Sequence, residues 1–156
     1  MIQNLIIIKD GSTLLSGNFG SCHSLHGNPI LLSGFFDALI SFSEEFEQGS
    51  LDQLKFKNSN VNFLKSDGLL YIIVSDLDDS LSVISNKLRK ISRLFFGEYG
   101  KFLIDFNGEI TSFDKFKTTL LDLGIAQKNC GKHSECSECP DSNNPNPILD
   151  EIMKLM

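Results

Sequence analysis

The pattern of hydrophobic and polar positions predicts five β-strands and three helices in about the first 125 residues. Two Asp-Gly pairs, Asp10-Gly11 and Asp67-Gly68, each lie between two apolar runs. Asp-Gly readily adopts the positive φ angles that a tight hairpin turn requires, so we expect an antiparallel hairpin at each pair.

Two of the predicted strands, at positions 5–8 and 69–74, are apolar without alternation. Such strands are covered on both faces, so we expect helices on both sides of the sheet. Segment 51–57 instead alternates, with Leu54 and Phe56 on the face opposite its lysines, as in a half-exposed strand. The sequence therefore predicts an α+β fold, an α-β-α sandwich around a five-stranded antiparallel sheet, with the element order β-β-α-β-β-β-α-α.

Capping residues mark the ends of the three predicted helices. The first begins at Asn28-Pro29 and runs to about Phe46, because Asn is a good N-cap and Pro favours the first helical position. The second begins near Ser80, and the third has Ser112 as its cap and ends at Gly124. The apolar positions expected to pack inward are Leu32, Phe35, Phe36, Leu39, Phe42 and Phe46 in the first helix, Leu81, Ile84, Leu88, Ile91 and Phe95 in the second, and Phe113, Phe116, Leu120 and Leu123 in the third.

The first helix carries more apolar residues than packing against one sheet face requires, because Ile30, Leu31 and Ile40 widen its apolar arc. Part of this arc is available for a partner, or loops of the same chain cover it; the sequence permits both interpretations.

The second helix carries four cations within seven residues, at Lys87, Arg89, Lys90 and Arg93. These residues form an anion-binding strip or an ordinary solvated helix face, and both interpretations stay open.

Composition, net charge and the length of the apolar runs limit the classes of protein to which this chain can belong. Thirteen Phe, two Tyr and no Trp predict a core filled mainly by phenylalanine. A net charge of −6 argues against non-specific binding to nucleic acid or to anionic membranes. The apolar run at positions 5–8 is too short for a signal sequence, and no stretch approaches the roughly 20 apolar residues that span a bilayer. We therefore expect a cytoplasmic protein without a transmembrane segment.

From Lys128 the composition changes to a polar segment that cannot form a core. Three thiols and one imidazole recur there at intervals of three residues, which is the right number and softness of ligands for tetrahedral zinc. An iron-sulfur site and a flexible tail without metal are the alternatives. The candidate ligands are Cys130, His133, Cys136 and Cys139. A smaller group, Cys22, His23 and His26, completes a site with the tail or is simply a polar loop.

The last nine residues predict a short helix with an apolar face that includes Ile148, Ile152 and Met153. A helix of this length is unstable alone in water, so we expect it to dock on this domain, on a second copy or on a partner. The chain is thus divided into a domain at 1–126, a linker bearing the Cys/His run at 127–147 and a docking helix at 148–156.

The sequence lacks the motifs of common catalytic sites. It has no G-x-S-x-G elbow, no H-E-x-x-H pair and no glycine-rich phosphate loop. We expect a non-enzymatic protein, with a zinc-binding or redox-sensing protein acting through Cys130–Cys139 as the alternative.

The element order, the turn at 9–11, the turn at 65–68 that leads into the strand at 69–76, and the long helix ending at 94–100 together resemble the longin-like branch of the roadblock/longin superfamily. The resemblance covers residue 1 to about residue 125. It implies a five-stranded antiparallel sheet with the first helix on one face and two helices on the other. A profilin-like binder of actin or peptides matches the helix-sheet order less well.

The resemblance also implies a function. Such domains are non-enzymatic subunits of membrane-traffic machinery or platforms that bind or regulate small Ras-like GTPases. It implies a contact surface on the exposed side of the first helix and the adjacent edge strand, for a GTPase, another roadblock/longin subunit or a second copy, with membrane contact through a partner. The candidate contact residues are Leu31, Gly34 and Ala38, because small residues permit close approach of a helix.

Overall fold

Five antiparallel strands and three α-helices form an α+β fold in the computed structural model, which describes residues 1–20, 28–46, 49–128 and 155. This coarse architecture agrees with the sequence prediction. The strands are β1 (Ile2–Lys9), β2 (Ser12–Asn18), β3 (Gln53–Lys55), β4 (Asn60–Ser66) and β5 (Leu69–Ser75), and the helices are α1 (Pro29–Glu45), α2 (Leu81–Ile104) and α3 (Lys115–Asp122), the last preceded by a 3-10 turn at Thr111–Asp114.

The sheet has the strand order β2-β1-β5-β4-β3, so β2 and β3 are its edges. Both Asp-Gly pairs form the predicted turns: Asp10 and Asp67 have φ angles of 47° and 55°, and the glycine after each is also positive. β1 and β5 are central and pair antiparallel, with Leu5 opposite Ile73. β3 covers only Gln53–Lys55 of the strand predicted at 51–57.

Two apolar cores lie on the two faces of the sheet. The smaller core joins α1 to the sheet, and Phe36 at its centre packs edge-on against Phe63 of β4. The larger core joins α2 and α3 to the opposite face. Phe95, Phe113 and Phe116 are fully buried in this larger core, as expected from the phenylalanine content.

The start of the third helix differs from the prediction, because Ser112 is not its cap. Ser112 lies within the 3-10 turn, and α3 begins at Lys115. The carboxylate of Glu109 accepts hydrogen bonds from the Thr111 N–H at 2.7 Å and the Ser112 hydroxyl at 2.8 Å. The Thr111 hydroxyl also donates to this carboxylate. The hydroxyls of Thr111 and Ser112, and then the Thr111 N–H, lower the pKa of Glu109, and the bonds together stabilise the 3-10 turn.

The predicted end at Gly124 is confirmed, with a φ of 65° in a Schellman motif. The Ile125 N–H donates to the Leu120 carbonyl at 3.0 Å, and the Gly124 N–H donates to the Leu121 carbonyl at 3.0 Å. This reversal buries Ile125 and leaves Leu123 exposed, contrary to the prediction.

The buried face of α1 is also rotated from the predicted one. Leu32, Phe36 and Ile40 follow one another at i+4 spacing and are buried, whereas Phe42 and Phe46 are exposed. Ile40, predicted to widen the arc, is therefore a core residue. In α2 the predicted core residue Leu81 is exposed, because it begins the helix before the first buried position, Ile84.

Candidate protein-interaction surface

Hydrogen bonds fix the first half of α1 beside the edge strand β2. The Asn28 side chain accepts from the Ile30 N–H at 2.9 Å and caps the helix, with Pro29 at the first position. One turn later the buried Ser33 hydroxyl donates to the Pro29 carbonyl at 2.7 Å and contacts the hydroxyl of Thr13 in β2. α1 is therefore held next to β2 by polar contacts as well as by the core beneath it.

The side of α1 that faces away from the sheet is apolar. The predicted contact residues Leu31, Gly34 and Ala38 are all exposed and recur at helical spacing, and Leu31 retains 72% of its accessible surface. Ile30, at 76% exposure, and Phe42, at 61%, extend the same stripe. We call these residues the outer α1 face: Ile30, Leu31, Gly34, Ala38 and Phe42.

Gly34 has open space beside it within the described part of the domain. A Cβ built on it meets no described atom within 4 Å. Glycine in a helix interior costs about 0.5–1 kcal/mol relative to alanine. The described contacts do not offset this cost, which leaves contact with a partner as a reason for a small residue here.

The outer edge of β2 pairs with no described strand, since β1 is its one described sheet neighbour. A groove of about 710 Å³ follows this edge between the start of α1 and the segment before α3. Its lining includes Thr13, Leu14, Ile30, Phe106 and Ile110. An exposed edge of this kind presents backbone N–H and C=O groups that accept an added strand.

The charges that border the outer α1 face are acidic. α1 carries Asp37, Glu44 and Glu45 and has no Lys or Arg. The Lys65 ammonium of β4 lies 2.9 Å from the Glu44 carboxylate, on the exposed end of the helix. A partner docking on the outer α1 face thus meets an apolar centre with a negatively charged margin.

The sequence predicts Phe42 in the core, and no sequence pattern predicts the groove beside β2. Phe42 fits the helical spacing on either side of a broad apolar arc. Its exposure is therefore determined only by how α1 packs on the sheet. The groove is formed by three segments distant in sequence, and no local signal predicts it.

The other predicted site residues lie outside the described residues. This applies to the candidate metal ligands and docking residues Cys130, His133, Cys136, Cys139, Ile148, Ile152 and Met153, and to the loop residues Cys22, His23 and His26. Within the described ranges, no three His, Cys, Asp or Glu side chains converge on a possible metal position.

No helix in the described part of the chain combines the length and apolar character needed to cross a bilayer. No protein-family model matches the chain, and no curated protein shows significant similarity to it.

Proposed function

We propose that this chain is a non-enzymatic, longin-like interaction module that serves as a subunit or platform for binding or regulating a small Ras-like GTPase or a membrane-traffic complex. The observation that carries the proposal is the apolar outer α1 face beside the unpaired edge of β2. Support for the longin-like assignment comes from the element order and from the packing of α1 on one sheet face and α2 and α3 on the other.

The surface offers two complementary ways of holding a protein partner. Gly34 and Ala38 allow a partner helix or strand to approach the α1 backbone closely, while Leu31 and Phe42 provide apolar area on either side. Full burial of one such large side chain contributes about 1.5–3 kcal/mol. The edge of β2 adds backbone hydrogen bonds that extend the sheet across the interface.

The test is the variant Ala38→Arg, which places a long charged side chain at the centre of the outer α1 face. We expect it to weaken association with a GTPase, a roadblock/longin subunit or a second copy at least about ten-fold, a loss of about 1.4 kcal/mol. The binding isotherm is measured against purified small GTPases in both nucleotide states, and self-association by analytical ultracentrifugation. Thr118→Arg, an exposed position on α3, is the matched control and should bind as the parent does.

Two results would count against the proposal. A monomeric mass at about 100 μM, where a micromolar dimer is saturated, removes the homodimer. If, in addition, neither GTPases nor roadblock/longin subunits bind at that concentration, the interaction function itself is wrong.

A further inference from the structure

α2 presents a second exposed face, on the opposite side of the sheet from α1, and this face is basic. The helix contains five cations, and its single carboxylate is Glu98, in a chain whose net charge is −6. We call its four exposed cations the basic α2 face: Arg89, Lys90, Arg93 and Lys101.

The cations of the basic α2 face are not engaged in ion pairs within the described part of the chain. Among the described ion pairs, no carboxylate partner belongs to any of its four cations. Arg89, Lys90 and Arg93, together with Asn86 and Leu94, line a surface depression of about 580 Å³. Their charges are directed into solvent, where an anionic partner can reach them.

Large apolar side chains share this exposed side of α2. Phe96 is 41% exposed, one turn after Arg93, and Ile104 at the end of the helix is 80% exposed. Phe96 and Ile104 also border a second depression of about 460 Å³, whose other side is formed by Lys9 and Asp67 at the two hairpin turns. Cations and apolar side chains therefore alternate along a helix about 36 Å long.

We propose that the exposed face of α2 binds directly to the surface of an anionic lipid bilayer. The four cations contact lipid phosphates and carboxylates, and Phe96 and Ile104 enter the boundary between headgroups and acyl chains. Helices that lie in this interface combine Lys and Arg, which contact the headgroups, with large apolar residues that enter the acyl boundary. The cations alone would be enough to bind nucleic acid or an acidic protein surface. The exposed Ile104 would then have no role.

The carboxylates of α1 do not oppose this orientation. The three carboxylates of α1 lie beyond the sheet from α2, and salt screens charges over about 8 Å at physiological ionic strength. With α2 on the bilayer, the outer α1 face points away from the lipid and stays accessible to a protein. Lipid binding by α2 therefore does not depend on the partner proposed for α1.

The experiment measures partition of the full chain onto vesicles of phosphatidylcholine alone or with about 30% phosphatidylserine, at low and at physiological salt. We expect binding to the anionic vesicles, weakened by salt, and no binding to phosphatidylcholine. Each Lys or Arg near such a surface increases partition about five-fold. The variant Arg89→Glu, Lys90→Glu, Arg93→Glu should therefore lose at least about 100-fold in partition.

The matched control reverses three exposed lysines that do not belong to α2: Lys55→Glu, Lys57→Glu, Lys128→Glu. It has the same net charge as the α2 variant, so a purely non-specific charge effect lowers partition equally in both. We expect the control to retain most of the parent's binding. Equal loss in the two variants, or no binding of the parent to anionic vesicles at low salt, overturns the proposal, as does binding to RNA or an acidic polypeptide in place of vesicles.

A second measurement detects the depth of Phe96. Because the chain has no Trp, Phe96→Trp introduces a single tryptophan beside the basic α2 face, whose emission can be excited apart from that of the two tyrosines. Its emission should shift to the blue with anionic vesicles only. Unchanged emission on vesicles to which the variant is bound would mean that this side of α2 does not contact lipid.

Discussion

At the scale of single residues, the two tyrosines show how burial changes side-chain chemistry. Tyr71 lies in the larger core, and its hydroxyl has no hydrogen-bond partner among the described residues. Burial raises the pKa of Tyr71 above its usual range, and the negative charge of Asp67 raises it further. Burial also raises the pKa of Tyr99 to about 12, with a contribution from Glu98.

These shifts predict a dependence of stability on alkaline pH. The unfolded chain ionises its tyrosines near pH 10, whereas the folded chain does so only at higher pH. The tyrosine contribution to the free energy of unfolding is therefore complete below about pH 10 and declines as the pH rises toward 12.

The check is an alkaline titration of tyrosinate absorbance in native and in denatured protein. Since the chain has two tyrosines, the native curve should lack any transition near pH 10. A native titration that coincides with the denatured one would contradict the buried positions of Tyr71 and Tyr99.

At the scale of elements, most boundaries predicted from capping residues agree with the structure, although Ser112 does not cap α3. Asn28, Pro29, Ser80 and Gly124 occupy the predicted positions at helix ends, because each meets a local backbone requirement. The orientation of α1 about its own axis was less predictable. Its apolar arc is too broad for the pattern to distinguish the buried Ile40 from the exposed Phe42. Contact between α1 and Phe63 of β4 determines which side of the helix is buried.

Substitution by alanine should change the free energy of unfolding in opposite directions at Gly34 and Gly124. Gly34→Ala should raise the free energy of unfolding by about 0.5–1 kcal/mol, because a helix interior favours alanine and the added Cβ meets no described atom. Gly124→Ala should lower it by about 1 kcal/mol or more, because its φ of 65° is strained for alanine.

Urea denaturation of both variants measures the two changes. The Gly124 variant serves as the control for the Gly34 variant, since both add one methyl group. If Gly34→Ala destabilises the isolated protein, the glycine has a role inside the domain, and the argument for a partner at this position fails.

At the scale of the whole molecule, exposed chemistry is divided between the two faces of the sheet. The α1 side is apolar with an acidic margin, and the α2 side is basic with apolar side chains at its end. The free α-amino group of Met1 contacts Asp76 and Asp79, linking the start of the chain to the segment that precedes α2. A single domain with two unlike surfaces suits a module that holds different partners on opposite sides.

The remaining prediction concerns zinc binding by the Cys/His run at 127–147. Three thiols and one imidazole should bind about one zinc ion per chain, measured by elemental mass spectrometry on protein purified without chelator. Cys136→Ser, Cys139→Ser should lose the metal, because tetrahedral zinc needs all four ligands. Cys22→Ser is the control and should retain it if the loop is not a ligand. Protein that carries no metal would leave the Cys/His run as an ordinary polar tail.

The sequence by itself determined the number and kind of the elements, the two Asp-Gly turns and most of the helix caps, because these depend on interactions between near neighbours. It also placed Leu31, Gly34 and Ala38 on a helix with surplus apolar surface. Only the tertiary structure decided which side of α1 is buried, that the unpaired edge of β2 adjoins it, and that the cations of α2 share a face with Phe96 and Ile104. The physical reason is that burial depends on contacts between residues far apart in sequence, which periodicity alone does not specify.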